Sequence, residues 1–237
     1  KEQEVGMRSA NGPVKIKICG LRTLSDVQAV NEQLPEYTGF IFDPSRKRYI
    51  SPEQAEELRR MLDARIRPVG VFVNAGTEEI RRVLEICRLD MVQLHGQETD
   101  EEIRRLREEY ERRWRPERGA RRRIPEETMC RQIRSELCIV KAFRIENEED
   151  VRKAEASAAD EILLDHGAGG TGESFDWSLL KNCRRRFFLA GGLTPDNVQL
   201  AIEEAKPFAV DVSSSLETDG RKDPQKIRRF VTAVRGE

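Results

Sequence analysis

Histidine is scarce in this 237-residue chain, which carries only two, and none of its five cysteines forms a CxxC pair. A metal centre built on His and Cys ligands has little to draw on, and no metal site is expected. The cysteines, at 19, 87, 130, 138 and 183, are odd in number, which suits reduced thiols in a cytoplasmic protein better than a disulfide framework. An excess of one charge is also missing: 42 Lys and Arg face 43 Asp and Glu, for a formal net charge of −1. That balance argues against a general nucleic-acid binder, which needs a basic surplus. No apolar run approaches the roughly 18 residues of a membrane span, and the polar first dozen residues lack a signal-peptide core. The expectation is a soluble cytoplasmic protein without nucleic-acid or membrane partners.

What is present is a rhythm of short apolar runs alternating with amphipathic ones. The stretch Val14 to Gly20 (VKIKICG) sets Ile16 and Ile18 on one face and Lys15, Lys17 and Cys19 on the other, the period-two pattern of a strand. Further strands are expected at Tyr37–Phe42, Val69–Val73, Met91–Leu94, Ile139–Phe143, Glu161–Leu164, Phe187–Ala190 and Phe208–Val212. Helices are expected between them at Ser25–Leu34, from Ser51-Pro52 to Asp63, from Thr77, at Glu101–Arg113, Asn147–Ala156, near Phe175–Lys181, after Thr194-Pro195 and from Asp223-Pro224 to Arg235. Eight strand–helix pairs imply parallel strands joined by right-handed crossovers, hence an α/β fold closed as a (βα)8 barrel in one domain over 1–237. Residues 1–12 form an N-terminal extension. Residues 110–136, dense in Arg and Glu, form a charged insertion between strands four and five, too long for one connecting helix.

The polar residues that stand out fall where strands end. Cys19 follows the first strand, Arg48 lies in the loop after the second, and His95 follows the fourth. Asp165 closes the sixth, Gly191-Gly192 the seventh, and Asp211 with Ser213 and Ser214 the eighth. In a barrel these positions line one mouth, where chemistry collects. Gly191, Gly192, Ser213 and Ser214 would offer N–H groups and hydroxyls to a phosphate after strands seven and eight, with the Gly170 and Gly172 loop closing over it.

Taken together, KICG, FIFDPSRKRYIS, GVFVN, QLHG, LLDHGAGGTGESFDW, AGGLTPDNV and FAVDVSSSLE resemble, in order, the successive motifs of the phosphoribosylanthranilate isomerases of tryptophan biosynthesis. The resemblance covers nearly the whole chain apart from the extension and the Arg-rich insertion. It implies an aldose–ketose isomerase, an intramolecular oxidoreductase, that carries out an Amadori rearrangement of N-(5-phosphoribosyl)anthranilate without metal or organic cofactor. It further implies Asp165 as the general acid that opens the ribose ring, Cys19 as the base that removes the C2 proton, and Arg48 as the fork that holds the anthranilate carboxylate. His95 and Asp211 are candidate substrate contacts, and fusion or association with other enzymes of that pathway is a further expectation.

The roles make physical demands. An acid working near neutral pH needs partial burial at the mouth, and a thiol acting as base needs a nearby positive field. Lys17 lies on the face of Cys19 and would itself need a partner such as Asp211. Glu173 stands where the family often has lysine after GTG. Two other readings compete: a ribulose-phosphate epimerase, for which two histidines are a poor metal supply, and a non-catalytic barrel that binds partners through its Arg-rich segment.

Overall fold

The computed structural model describes residues 12–114, 137–166 and 177–236. Eight strands, β1 (Lys15–Cys19), β2 (Tyr37–Ile41), β3 (Arg67–Phe72), β4 (Met91–Leu94), β5 (Cys138–Arg144), β6 (Glu161–Asp165), β7 (Phe187–Ala190) and β8 (Ala209–Val212), pair in sequence order into a closed barrel. Every neighbour is parallel, and β1 closes the ring on β8 with Lys17 opposite Asp211. Helices α1 (Leu24–Gln33), α2 (Pro52–Arg60), α3 (Thr77–Ile86), α4 (Asp100–Trp114), α5 (Glu148–Glu155), α6 (Val198–Ala205) and α7 (Pro224–Arg235) return the chain between strands and close its end.

Local chemistry explains the boundaries. Thr23 and Asp26 form a capping box on α1, Ser51 and Gln54 on α2, and Asn147 and Asp150 on α5, each satisfying amides left bare at a helix start. Asp223 caps α7 and Pro224 occupies its first turn, where a missing N–H costs nothing.

The alternation in β1 separates two cores. Ile16 and Ile18 belong to the large core between barrel and helices, with Phe40, Phe72 and Phe230. A smaller core fills the lumen with Tyr37, Val69, Met91, Val140, Leu163, Phe188 and Ala209, one or two side chains from each of β2 to β8. Above it the inward positions turn polar.

The barrel expected from sequence is what forms, with two differences. The helix expected near 175–181 is a four-residue 3-10 turn, Trp177–Leu180, in its described part. Trp177 and Leu180 both bury there, and the chain runs on from this turn into β7. Beyond β8 a small antiparallel hairpin forms, β9 (Glu217–Thr218) with β10 (Arg221–Lys222), which the strand count missed. α4 continues to Trp114, so the first residues of the 110–136 segment are helical; its remainder, and residues 1–11 of the extension, lie outside the described residues.

Candidate active site

The mouth divides into two polar groups, and the first is built on β1 and β8. Parallel pairing sets Lys17 beside Asp211, and Lys17 Nζ donates to Asp211 Oδ2 at 2.7 Å with both side chains buried. The pair expected from sequence is therefore made. Asp211 Oδ1, equally buried, has no hydrogen-bond partner among the described residues. Cys19 ends the strand one alternation above Lys17, which also reaches the thiol. Burial pushes the Cys19 thiol above its ordinary range; Lys17 and Lys222 pull it down, and Asp211 opposes them. The positive field that sequence reasoning asked for is thus present in Lys17 and Lys222. Burial outweighs the positive field.

A glycine makes room for that sulfur. Gly39 on β2 sits opposite Cys19, and a Cβ there would stand 2.6 Å from Sγ, well inside contact distance. Gly20, at φ 85°, does the same for the arginine: a Cβ would lie 2.6 Å from Arg48 Cδ.

Arg48 is not a free fork. Its Nε and Nη2 donate to Glu217 Oε1 and Oε2 at 2.6 and 2.8 Å, a bidentate pair that raises the guanidinium's proton affinity. Lys222 also donates to Glu217 Oε1, at 3.1 Å, and to the Ser213 carbonyl at 2.9 Å. Burial lowers the Lys222 ammonium below its ordinary value, with Glu217 opposing. Burial alone would raise Glu217, but hydrogen bonds from Arg48 and the Lys222 charge leave it lowered.

The second group lies across the mouth on β4, β6 and β7. His95 Nε2 stands 3.4 Å from Asp165 Oδ2, while its Nδ1 meets Gln93 Nε2 at 2.9 Å. Asp165 is 23% exposed, the partial burial asked of an acid. Gly191, at φ 97°, lets the carboxylate lie against backbone, since a Cβ there would be 2.8 Å from Asp165 Oδ1. The loop carrying His95 is pinned from behind: Glu98 accepts from the amides of Asn74 and Gly96 at 2.7 and 2.9 Å and pairs with buried Lys141.

The loops read as phosphate-binding meet at β7 and β8. Ser215 Oγ donates to the Leu193 carbonyl and joins them, and among the described residues nothing lies within 4 Å of a Cβ built on Gly192. The Ser213 hydroxyl is already committed, donating to the Cys19 carbonyl at 2.9 Å. Ser214 opens a short 3-10 turn. Gly170 and Gly172 lie outside the described residues.

So Cys19, Arg48, Asp211 and Ser213 share one group, and His95, Asp165 and Gly191 the other. Sequence reasoning missed Gly39, Glu217 and Lys222. A signal existed for the last two: Asp219-Gly220, both at positive φ, is the aspartate–glycine turn that announces a hairpin. The glycine within YTGFI likewise marked a close approach.

Comparison with known proteins gives this geometry a context. The family model described as N-(5'phosphoribosyl)anthranilate (PRA) isomerase matches residues 16–117 and 122–233, so its break falls inside the charged stretch. The chain is 39% identical over 230 residues to N-(5'-phosphoribosyl)anthranilate isomerase of Clostridium acetobutylicum, covering 94% of this chain and 98% of the relative. The crystal structure of the phosphoribosyl anthranilate isomerase of Thermotoga maritima superposes with a TM-score of 0.77 at 36% identity, covering 94% of this chain and all of that one. A crystal structure of such an isomerase holding reduced 1-(o-carboxyphenylamino)-1-deoxyribulose 5-phosphate gives 0.76 at the same identity and coverage.

Proposed function

Because the chain belongs to the N-(5'-phosphoribosyl)anthranilate isomerase family, we propose that Cys19 and Asp165 are the base and the acid of its Amadori rearrangement. The reaction, an aldose–ketose isomerisation in tryptophan biosynthesis, converts N-(5'-phosphoribosyl)anthranilate to 1-(2-carboxyphenylamino)-1-deoxyribulose 5-phosphate. It is an intramolecular oxidation and reduction: C2 is oxidised to a ketone as C1 is reduced.

Asp165 gives its proton to the ribose ring oxygen; the bond from C1 to that oxygen breaks, and the anthranilate nitrogen donates its pair to form a Schiff base. Cys19, as thiolate, takes the C2 proton, and the freed pair forms the C1=C2 bond of an enolamine while the iminium is neutralised. The C2 hydroxyl then loses its proton as C1 gains one, leaving the ketone. His95, 3.4 Å from Asp165, orients the acid. Arg48 receives the anthranilate carboxylate, and Asp211 Oδ1, buried without a partner, accepts from a ribose hydroxyl. The 5'-phosphate sits at the Gly191-Gly192 and Ser213-Ser214 loops, with Ser213 offering its amide because its hydroxyl is used elsewhere, and Gly170 and Gly172 remain candidate donors by their motif alone. The cysteines Cys19, Cys87 and Cys183, free among the described residues, support a cytoplasmic setting, and no described helix is long and apolar enough to cross a membrane.

The observation that carries the reading is a thiol and a carboxyl at the carboxyl ends of β1 and β6 in a barrel that matches the family over its whole circuit. Turnover of fluorescent phosphoribosylanthranilate tests it. Cys19→Ser and Asp165→Asn should each lose about 10²–10⁴-fold in kcat, the usual scale of acid–base contributions. Turnover at the wild-type rate in both variants refutes the assignment.

A further inference from the structure

The β9–β10 hairpin takes no part in the acid and base steps, yet it delivers two buried ionisable side chains to the mouth. We propose that Glu217 is the positioning residue for Arg48, fixing which edge of the guanidinium meets the aromatic carboxylate and so setting the selectivity for an ortho-carboxylated arylamine. The inference rests on the reading of Arg48 as the carboxylate's partner.

A guanidinium offers two edges for bidentate pairing, Nε with Nη2 and Nη1 with Nη2. Glu217 occupies the first, and Nη1 donates no hydrogen bond among the described residues. The incoming carboxylate therefore meets the Nη1 end. The stem is fixed as well, since Arg48 Cδ packs into the space that a side chain at Gly20 would take.

The hairpin in turn is fastened at several points. Lys222 joins Glu217 to the Ser213 carbonyl, and Lys226 Nζ donates to the Glu217 carbonyl at 2.6 Å. Arg22 donates through one nitrogen to the Gly220 carbonyl at the turn and through another to the Lys47 carbonyl beside Arg48, at 2.9 Å for the latter. Hairpin and arginine loop are thus tied to each other through Arg22 as well as through Glu217.

Charge supplies the reason for the device. A mobile arginine near a sugar phosphate is drawn to the phosphate dianion, the stronger attractor, rather than to a carboxylate. Glu217 holds it at the carboxylate's end and leaves the Arg48, Glu217 and Lys222 set with one net positive charge facing a single negative one.

Calorimetry with two probes tests this: the reduced product analogue with its carboxyl group, and the phenylamino counterpart without it. Wild type should bind the carboxylated probe about tenfold or more tightly, a typical return from a charge-assisted pair. Glu217→Gln should shrink that advantage to about twofold while binding the carboxyl-free probe within about twofold of wild type, which certifies an intact fold. In turnover its KM should rise about tenfold with kcat changed less than about threefold, the pattern of lost binding rather than lost chemistry. Glu217→Asp, which keeps the charge but withdraws it by one methylene, should shift both readouts in the same direction and decides the question if the glutamine variant does not fold. Wild type without a carboxyl advantage would remove the Arg48 reading itself. A carboxyl advantage that Arg48→Ala abolishes but both Glu217 variants retain would overturn the inference alone.

Discussion

At the floor of the barrel, where the strands begin, Arg186 lies 4.1 Å from the ring centroid of Phe208 and pairs with Glu161, while Lys15 and Arg67 cover Phe208 and Tyr37 at 4.7 and 5.3 Å. At the mouth, where the strands end, Lys17 grips Asp211 at 2.7 Å and leaves one carboxylate oxygen with no partner among the described residues. Both rims put cations against the lumen. Those at the floor lie on aromatic faces that ask for nothing more, closing the lumen with contacts worth about 0.5–1 kcal/mol each. Those at the mouth are shared between a carboxylate and a thiol, so the site keeps acceptors and a proton in reserve. Identical strand register thus produces a sealed end and a reactive one, and the side chain at each inward position decides which.

The sharpest way to break the comparison is to remove the mouth's lysine. Lys17→Met leaves Asp211 buried without a counter-charge, and denaturant unfolding should show a loss of about 3–5 kcal/mol, the scale of a broken buried pair. Because Lys17 pulls the thiol down, its removal moves the thiol further up and thins the thiolate at neutral pH. The variant's kcat/KM at pH 7.5 should fall at least about tenfold and recover as pH rises. Recovery with pH separates the electrostatic effect from simple misfolding.

A smaller effect is expected at Gly39. Gly39→Ala drives a methyl group to 2.6 Å from Cys19 Sγ, so the thiol must turn away. A kcat loss of about tenfold to a hundredfold is expected, with stability falling by about 1–3 kcal/mol from overpacking. Unchanged kcat would show that the sulfur's position is not what matters.

In the wild type the thiol's elevated range sets the pH profile. Its base form is the deprotonated one, and burial holds it above the ordinary value of about 8.5. The base limb of kcat/KM should therefore still be climbing at pH 9. A plateau reached by pH 7 contradicts a resting thiol.

The least effect is expected at the floor. Arg186→Met removes a half-exposed ion pair and a ring contact together, for about 1 kcal/mol and a fall in Tm of about 2–4 °C. kcat should not move. A drop in kcat there would end the division between sealed and reactive rims.

Much of this was legible in the chain itself. Each strand of the barrel carries a short branched or aromatic run, and Lys17 and Cys19 alternate with Ile16 and Ile18 plainly enough to assign lumen and helix sides. The 3-10 turn after β6 was not legible, because WSLL has the composition of a helix and lacks only the length, which the tertiary layout sets. The pairing of Arg48 with Glu217 was hidden for another reason: 169 positions separate them, and no periodicity links a loop after β2 to a hairpin after β8. The neighbouring lysine of Cys19 was legible as well, but the burial that outweighs its field was not, because burial is set by strands distant in sequence.

The bond that joins Lys17 to Asp211 spans 194 positions. A ribosome releases the lysine long before the aspartate, so until β8 is made Lys17 lacks the carboxylate that holds it beside the sulfur two places further on. The surroundings of that sulfur are complete only when the eighth strand pairs with the first. A chain cut short before β8 lacks both the partner of Lys17 and the pairing that closes the ring.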